Sequence, residues 1–335
     1  MSRLAPVGAA VLAALFHAAS AGAAPPPQVP PPLEMPPPLE MPPPLEMPPP
    51  LQVPPPLGAP PLPVPLLQWP AQLPQPQPAP PPQDPGEPRQ GQAGKDVIWL
   101  PTPESLVERM LTMAQVGSRD VVYDLGSGDG RMVIAAARRG ARAVGVEFNP
   151  ELVAFSERRA RAQGVARNAR FVQGDIFETA FSDATVVTLY LLSTLNLRLR
   201  PALLEMRAGT RVVSHAFNMD DWAPDEVSRA EGRTAYLWIV PAAVEGSWRV
   251  DLKGGPSFEV TLVQRFQKIE GTVELGPVEA DLREPVLRGD AIRFDFVDQD
   301  GAWYELTGTV SGDRMSGSYR KAKARRKGGW TAVRR

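Results

Sequence analysis

Most of the 41 prolines in this 335-residue chain lie before residue 90, so a packed core is confined to the remaining stretch of about 240 residues. Proline fixes φ and removes a backbone donor, so such a segment joins neither a helix nor a sheet. The hexad Pro-Pro-Pro-Leu-Glu-Met starts at Pro30, Pro36 and Pro42, then decays through Pro48-Pro-Pro-Leu-Gln-Val53. Residues 25–95 therefore read as a disordered Pro-rich linker in polyproline II conformation, a spacer of up to roughly 200 Å at about 3.1 Å per residue. A six-residue repeat on a three-residue turn also lines every Leu along one edge. That is the pattern of a ligand for an aromatic groove, although a plain spacer is the simpler reading.

Residues 1–24 carry the marks of a secretory leader. Arg3 supplies a positive start, residues 7–19 are apolar, and Ser20-Ala-Gly-Ala-Ala24 offers small-residue cleavage sites. This thirteen-residue segment is too short for a permanent membrane span, so no transmembrane helix is expected beyond the leader. The pattern predicts an exported, periplasmic protein. With Met35, Met41 or Met47 as the true start, the protein would be cytoplasmic. A net charge of −1 gives no general field for nucleic acid. The absence of cysteine excludes disulfides and a thiolate nucleophile. Of the two histidines only His215 lies beyond the leader, which excludes a multi-histidine metal site.

From Asp96 to about residue 245, apolar runs alternate with helical stretches, the pattern of a parallel α/β sheet. Strands are expected at 121–125, 143–147, 169–172, 184–191, 210–214 and 235–240. Helices are expected after Pro103, at 131–139, and from Asn149 as a cap with Pro150 in the first turn. Residues 246–335 lose the helical period. Seven short alternating runs separated by Gly-Gly, Asp-Gly and Ser-Gly-Asp turns predict a small antiparallel all-β barrel or sandwich.

The stretch Val122-Tyr-Asp-Leu-Gly-Ser-Gly-Asp-Gly-Arg131 ends a strand, turns on glycines and opens a helix. Gly126 and Gly128 let the backbone approach a ligand where a Cβ would collide. The spacing G-x-G-x-G departs from the dinucleotide fingerprint. Asp124 at the lip of the turn suits a cationic ligand and would repel a diphosphate. Glu147 ends the next strand, where an acid accepts hydrogen bonds from ribose hydroxyls. Asp175 closes the third, with Ile176 or Phe177 beside it for a base. Three such acids at successive parallel strand ends face one crevice at the topological switch point. S-adenosylmethionine (SAM), which carries an ammonium and a sulfonium, matches the sign of that crevice.

These motifs resemble the class I, seven-β-strand SAM-dependent methyltransferases. More narrowly, Trp99-Leu-Pro-Thr-Pro103, Asp124-Leu-Gly-Ser-Gly-Asp-Gly-Arg131 and Gly145-Val-Glu-Phe-Asn-Pro-Glu-Leu-Val153 resemble the protein-lysine methyltransferases acting on the ATP synthase c subunit. The resemblance covers about residues 96–220. It implies a Rossmann-like sheet, with Asp124, Gly126 and Gly128 at the methionine end of SAM, Glu147 at the ribose, Asp175 at the adenine, and the Pro-Thr-Pro turn closing over them. It says nothing about the spacer or the β-rich tail.

On the acceptor side, the fourth strand end, Val187-Thr-Leu-Tyr-Leu-Leu-Ser193, lacks the Asn-Pro-Pro-Tyr motif of amide and nucleobase amino methyltransferases. Tyr190 is placed either to shape an acceptor or to pack on the sheet. His215 ends the fifth strand, as a proton acceptor or a structural residue. Asp220 and Asp221 are placed to orient an amine. Asn196, Arg198 and Arg200 either steer an acidic substrate or form a solvated helix face. The basic run Arg320–Lys327 reads as a hairpin loop or an anion contact, and Trp248, Trp303 and Trp330 as core of the tail. The leading expectation is methyl transfer from SAM to a protein lysine. A small-molecule O- or N-methyltransferase and a non-catalytic envelope binding protein on the same scaffold are the alternatives. The last is raised by the leader, because SAM is made in the cytosol.

Overall fold

The computed structural model describes residue 91 and residues 100–322 and 327–335. The readings of the leader, the Pro-rich spacer, Trp99 and the centre of the basic run lie outside the described residues. The first sheet has seven strands: β1 (Val121–Leu125), β2 (Arg142–Glu147), β3 (Ala169–Gln173), β4 (Val186–Leu189), β5 (Arg211–His215), β6 (Glu226–Ala230) and β7 (Arg233–Ile239). Their order is β3-β2-β1-β4-β5-β7-β6. The first five are mutually parallel, while β7 runs antiparallel to β5 and β6 to β7. Helix α1 (Glu104–Met113) precedes β1, and three helices connect strands: α2 (Arg131–Arg138), α3 (Pro150–Ala162) and α4 (Ser193–Leu204).

Local chemistry sets these elements. The Val-rich β4 is buried along its whole length, as a central parallel strand covered on both faces must be. α2 buries Met132 to Ala137 against the sheet, and α3 is opened by Asn149, whose side chain accepts from the Glu151 N–H with Pro150 at the first position. The sequence pattern does not announce β6. Its sequence Glu-Val-Ser-Arg-Ala leaves Val227 half exposed at the sheet edge and lacks an apolar face. α4 begins at Ser193; Arg198 lies on its exposed face as the solvated-face reading expects, Arg200 is half-buried, and Asn196 departs from that reading because it is fully buried.

The carboxyl-terminal strands form a second, antiparallel sheet: β8 (Gly246–Leu252), β9 (Ser257–Arg265), β10 (Lys268–Leu275), β11 (Val278–Asp281), β12 (Arg283–Arg288), β13 (Ala291–Val297), β14 (Trp303–Ser311), β15 (Arg314–Lys321) and β16 (Gly328–Arg334). Apart from β11 and β12, each strand pairs with its sequence neighbour, and β16 returns to pair with β8. Only Leu282 separates β11 from β12. Its N–H bonds the Gly271 carbonyl of β10, while Arg283 already pairs with Asp295 of β13. One bent stretch thus leaves β10 and joins β13, which closes the sheet into an up-and-down barrel of eight staves. The sequence reading misses this stave because Pro285 and the charges of 279–284 break the apolar alternation.

The barrel core is aromatic. Phe296 stacks on Tyr304 at 4.9 Å, Phe258 meets Phe296 edge-on at 5.1 Å, and Phe294 meets Trp330 edge-on at 5.9 Å. Trp248 and Trp330 are buried as expected. Trp303 is not core; it is 40% exposed, with the Arg283 guanidinium over its face.

Candidate active site

The crevice lies at the carboxyl ends of β1 to β5. After Leu125, the chain turns through Gly126 (φ 84°), Gly128 (φ 53°) and Gly130 (φ 77°), conformations that disfavour any side chain. At Gly130 a Cβ would also lie 2.7 Å from the Phe171 ring. The turn is fastened by the Gly126 and Ser127 N–H groups donating to the Val146 carbonyl, and by the Gly128 N–H donating to Glu147 Oε2 at 2.9 Å. The other Glu147 oxygen accepts the Asn149 N–H. Two backbone donors therefore hold this carboxylate at the tip of β2.

Asp124 is buried, accepts the Thr188 hydroxyl at 2.7 Å, and faces Asp129 and Glu147. Burial, reinforced by those two carboxylates, pushes its pKa up to about 7 against the pull of Thr188. Asp129 is neutralised locally by Arg131 and Arg159, each at 2.7 Å. Asp124 is thus a buried acid set among other carboxylates, which fits a ligand bearing positive charge. Asp175, at the end of β3, accepts the Phe177 N–H, and Ile176 is buried beside it.

A strap crosses the glycine turn. Arg131 Nη1 donates to the Thr102 carbonyl at 2.8 Å, and the Thr102 hydroxyl shares a 3.1 Å hydrogen bond with His215 Nδ1. Leu100, Pro101 and Thr102 line the same cavity as Asp124, Gly126, Gly128 and Tyr190. Sequence reasoning misses the Asp129–Arg131–Thr102 chain; an acid and a base two residues apart in the turn is the available signal.

Tyr190 and His215 meet at the tips of β4 and β5, with ring centroids 3.8 Å apart, and Tyr190 stacks on Phe217 at 6.3 Å. Tyr190 packs against His215 and Phe217 and also lines the crevice. Burial, with Arg233 nearby, lowers the His215 pKa to about 4, so its ring is neutral at neutral pH and a weak proton acceptor. The basic and acidic residues of this side are engaged internally. Arg198 lies over the Phe177 ring at 3.6 Å, Arg200 bonds the Met219 carbonyl and Asp221, and Asp221 also takes Arg265. Asn196 donates to Ser214 Oγ and the Phe217 carbonyl. Among the described residues no group of three or more metal-ligating side chains comes together. A further cleft of about 930 Å³ lies at the opposite, amino-terminal edge of the parallel strands, beside Asp120, Gly209 and Arg211.

A parallel sheet with this strand order, a glycine turn after β1 and acids at the tips of β1, β2 and β3 define a SAM-dependent methyltransferase. Residues 124–226 match the family model described as the ANTKMT methyltransferase domain. A protein-lysine N-methyltransferase of Saccharolobus islandicus is 44% identical over 151 residues, covering 43% of this chain and 94% of the relative. The chain belongs to the protein-lysine N-methyltransferase family. The human ATP synthase c-subunit lysine N-methyltransferase is 36% identical over 131 residues, 39% of this chain and 56% of that protein. A crystal structure of an RNA methyltransferase from Salinibacter ruber in complex with S-adenosyl-L-homocysteine is 53% identical, with a TM-score of 0.43, covering 43% of this chain and 96% of that one.

Proposed function

We propose that the chain transfers the methyl group of SAM to the ε-amino group of a lysine in a protein substrate. In this reading residues 96–245 perform the transfer and residues 246–335 form an accessory domain. The observation that carries it is the aromatic wall of Tyr190, His215 and Phe217 beside the strap and Asp124. Ring faces attract an arriving ammonium at the rim, and burial further in favours its neutral, nucleophilic form. The names of the archaeal and human relatives point to the same acceptor chemistry.

SAM supplies a methyl group activated by its sulfonium. Asp124 holds the ammonium of the methionine end, and the backbone at Gly126 and Gly128 closes on the same end. Glu147 takes the ribose hydroxyls, Asp175 the adenine amino group, and Ile176 its ring face. Methyl transfer is an in-line displacement governed by proximity and alignment, so Tyr190 and His215 are assigned to shaping the channel and not to removing the proton. His215 also latches the strap through Thr102, which keeps water from the reacting groups.

Incubating the full chain with methyl-labelled SAM and a protein extract, then hydrolysing the protein fraction, tests this. Label is expected in methyllysine. Label confined to the low-mass fraction would move the assignment to a small-molecule acceptor. Turnover needs SAM, which is made in the cytosol, so this reading goes with a start at Met35, Met41 or Met47 and a cytoplasmic enzyme, with the Pro-rich stretch as a spacer. Amino-terminal sequencing of the native protein after cell fractionation checks this, and a chain cleaved near Ala24 in the exported fraction would favour the non-catalytic binding protein instead.

A further inference from the structure

The turn that follows β5 is held in a strained conformation. Ala216 has φ 64° and Asp220 φ 57°, the left-handed region that residues with a side chain rarely adopt. Such strain persists only where surrounding contacts over-determine it. From within its own domain the turn is held by Asn196 at the Phe217 carbonyl, by Arg200 at the Met219 carbonyl, and by Trp238 Nε1 donating to the Trp222 carbonyl. The remaining support comes from the barrel. The Phe266 ring at the tip of the β9–β10 hairpin stacks on Trp222 at 5.9 Å and 20°. Arg265 pairs with Asp221 at 3.0 Å, and Gln267 donates to the Ala223 carbonyl at 2.6 Å. Gln264 fastens the base of the hairpin: it donates to the Ala242 and Phe266 carbonyls and accepts the Val244 N–H.

We propose that the β9–β10 hairpin positions the methyl acceptor, with Phe266 and Gln267 clamping the 216–223 turn so that Phe217 stays against Tyr190. The inference rests on the acceptor-wall reading above and gives the barrel a part in the reaction. Phe266 and Gln267 are positioning residues; neither touches the crevice that holds Asp124 and the glycine turn. The Arg265–Asp221 pair is secondary, since Arg265 is 73% exposed and exposed pairs contribute little.

The test compares Phe266→Ala with Phe266→Trp in the full chain, by amide hydrogen exchange, SAM titration, and steady-state methylation of poly-L-lysine. Phe266→Ala is expected to raise exchange across residues 216–223 by about 10-fold or more. SAM affinity should stay within about twofold, KM for the lysine polymer should rise several-fold, and Trp should restore all three readouts. Unchanged exchange in the turn would overturn the proposal. So would equal acceleration in β1 and the glycine turn with matching loss of SAM binding, or failure of Trp to restore. If Phe266→Ala does not fold, Gln267→Ala carries the same comparison, with an expected rise in exchange of about threefold. If the wild-type chain leaves poly-L-lysine unmodified, the lysine assignment weakens, and the exchange and SAM arms still decide the role of the hairpin.

Discussion

The two sheets of this molecule use burial differently. The seven-stranded sheet surrounds a crevice in which the Asp124 carboxyl is buried among other acids. The barrel closes on itself and fills its interior with Phe258, Phe294, Phe296 and Trp330. One sheet keeps a desolvated acid at its crevice; the other is built for packing. Substitutions in the two should therefore separate binding from stability.

The largest effect should come from the barrel. Trp330→Ala removes a buried aromatic and its Nε1 bond to the Thr307 carbonyl, and is expected to cost about 3–5 kcal/mol in denaturant unfolding. SAM affinity in the folded fraction should be unchanged; a parallel loss would mean the sheets are not energetically separable. Asp124→Asn is the converse. It should weaken SAM binding by about 100-fold by calorimetry, the scale of a lost buried charge pair, while leaving stability equal or higher because a desolvated acid is removed. A loss of stability would break the contrast.

The pH dependence sharpens the same point. The Asp124 pKa is raised in the folded state, from 3.8 to about 7. Between those values the native state holds a proton that the unfolded chain has released, so this group makes stability fall as pH rises through the window. A cationic ligand favours the carboxylate. SAM affinity should therefore drop about tenfold per pH unit below 7, with proton release on binding seen as buffer-dependent heat. A flat profile would remove Asp124 from the site. His215 has the opposite sign: its lowered pKa withdraws stability as pH falls from 6.5 to about 4. The smallest effect is expected from Thr102→Val, which deletes one hydrogen bond of the strap. It should weaken SAM binding by about fivefold with unfolding nearly unchanged.

The parallel sheet is legible in the sequence because its signals are local: buried runs such as Val121–Leu125, the cap at Asn149, and acids placed at strand ends. The three acids at the tips of β1, β2 and β3 can be named for the same reason. What escapes depends on distant partners. Nothing adjacent to Arg131 announces the Thr102 carbonyl 29 positions earlier, and nothing near Asp221 announces Arg265, 44 positions later. Arg198 is exposed, but sequence shows the charge of Arg198 and Arg200 and not the Phe177 and Phe266 rings against which their guanidinium groups lie. The β11–β12 stave is hidden by Pro285 and its charges, and its place is fixed by two neighbours at once.

That hand-over at Leu282, together with the pairing of β8 with β16, leaves the barrel without a free margin for another chain to extend. The seven-stranded sheet keeps two such margins, β3 and β6. It also sets an order of assembly. β8 leaves the ribosome about 80 residues ahead of the strand that seals it, so the hairpins between them must wait as an open ribbon. Shortening the chain by that final strand should therefore expose the whole aromatic lining at once, not fray one end.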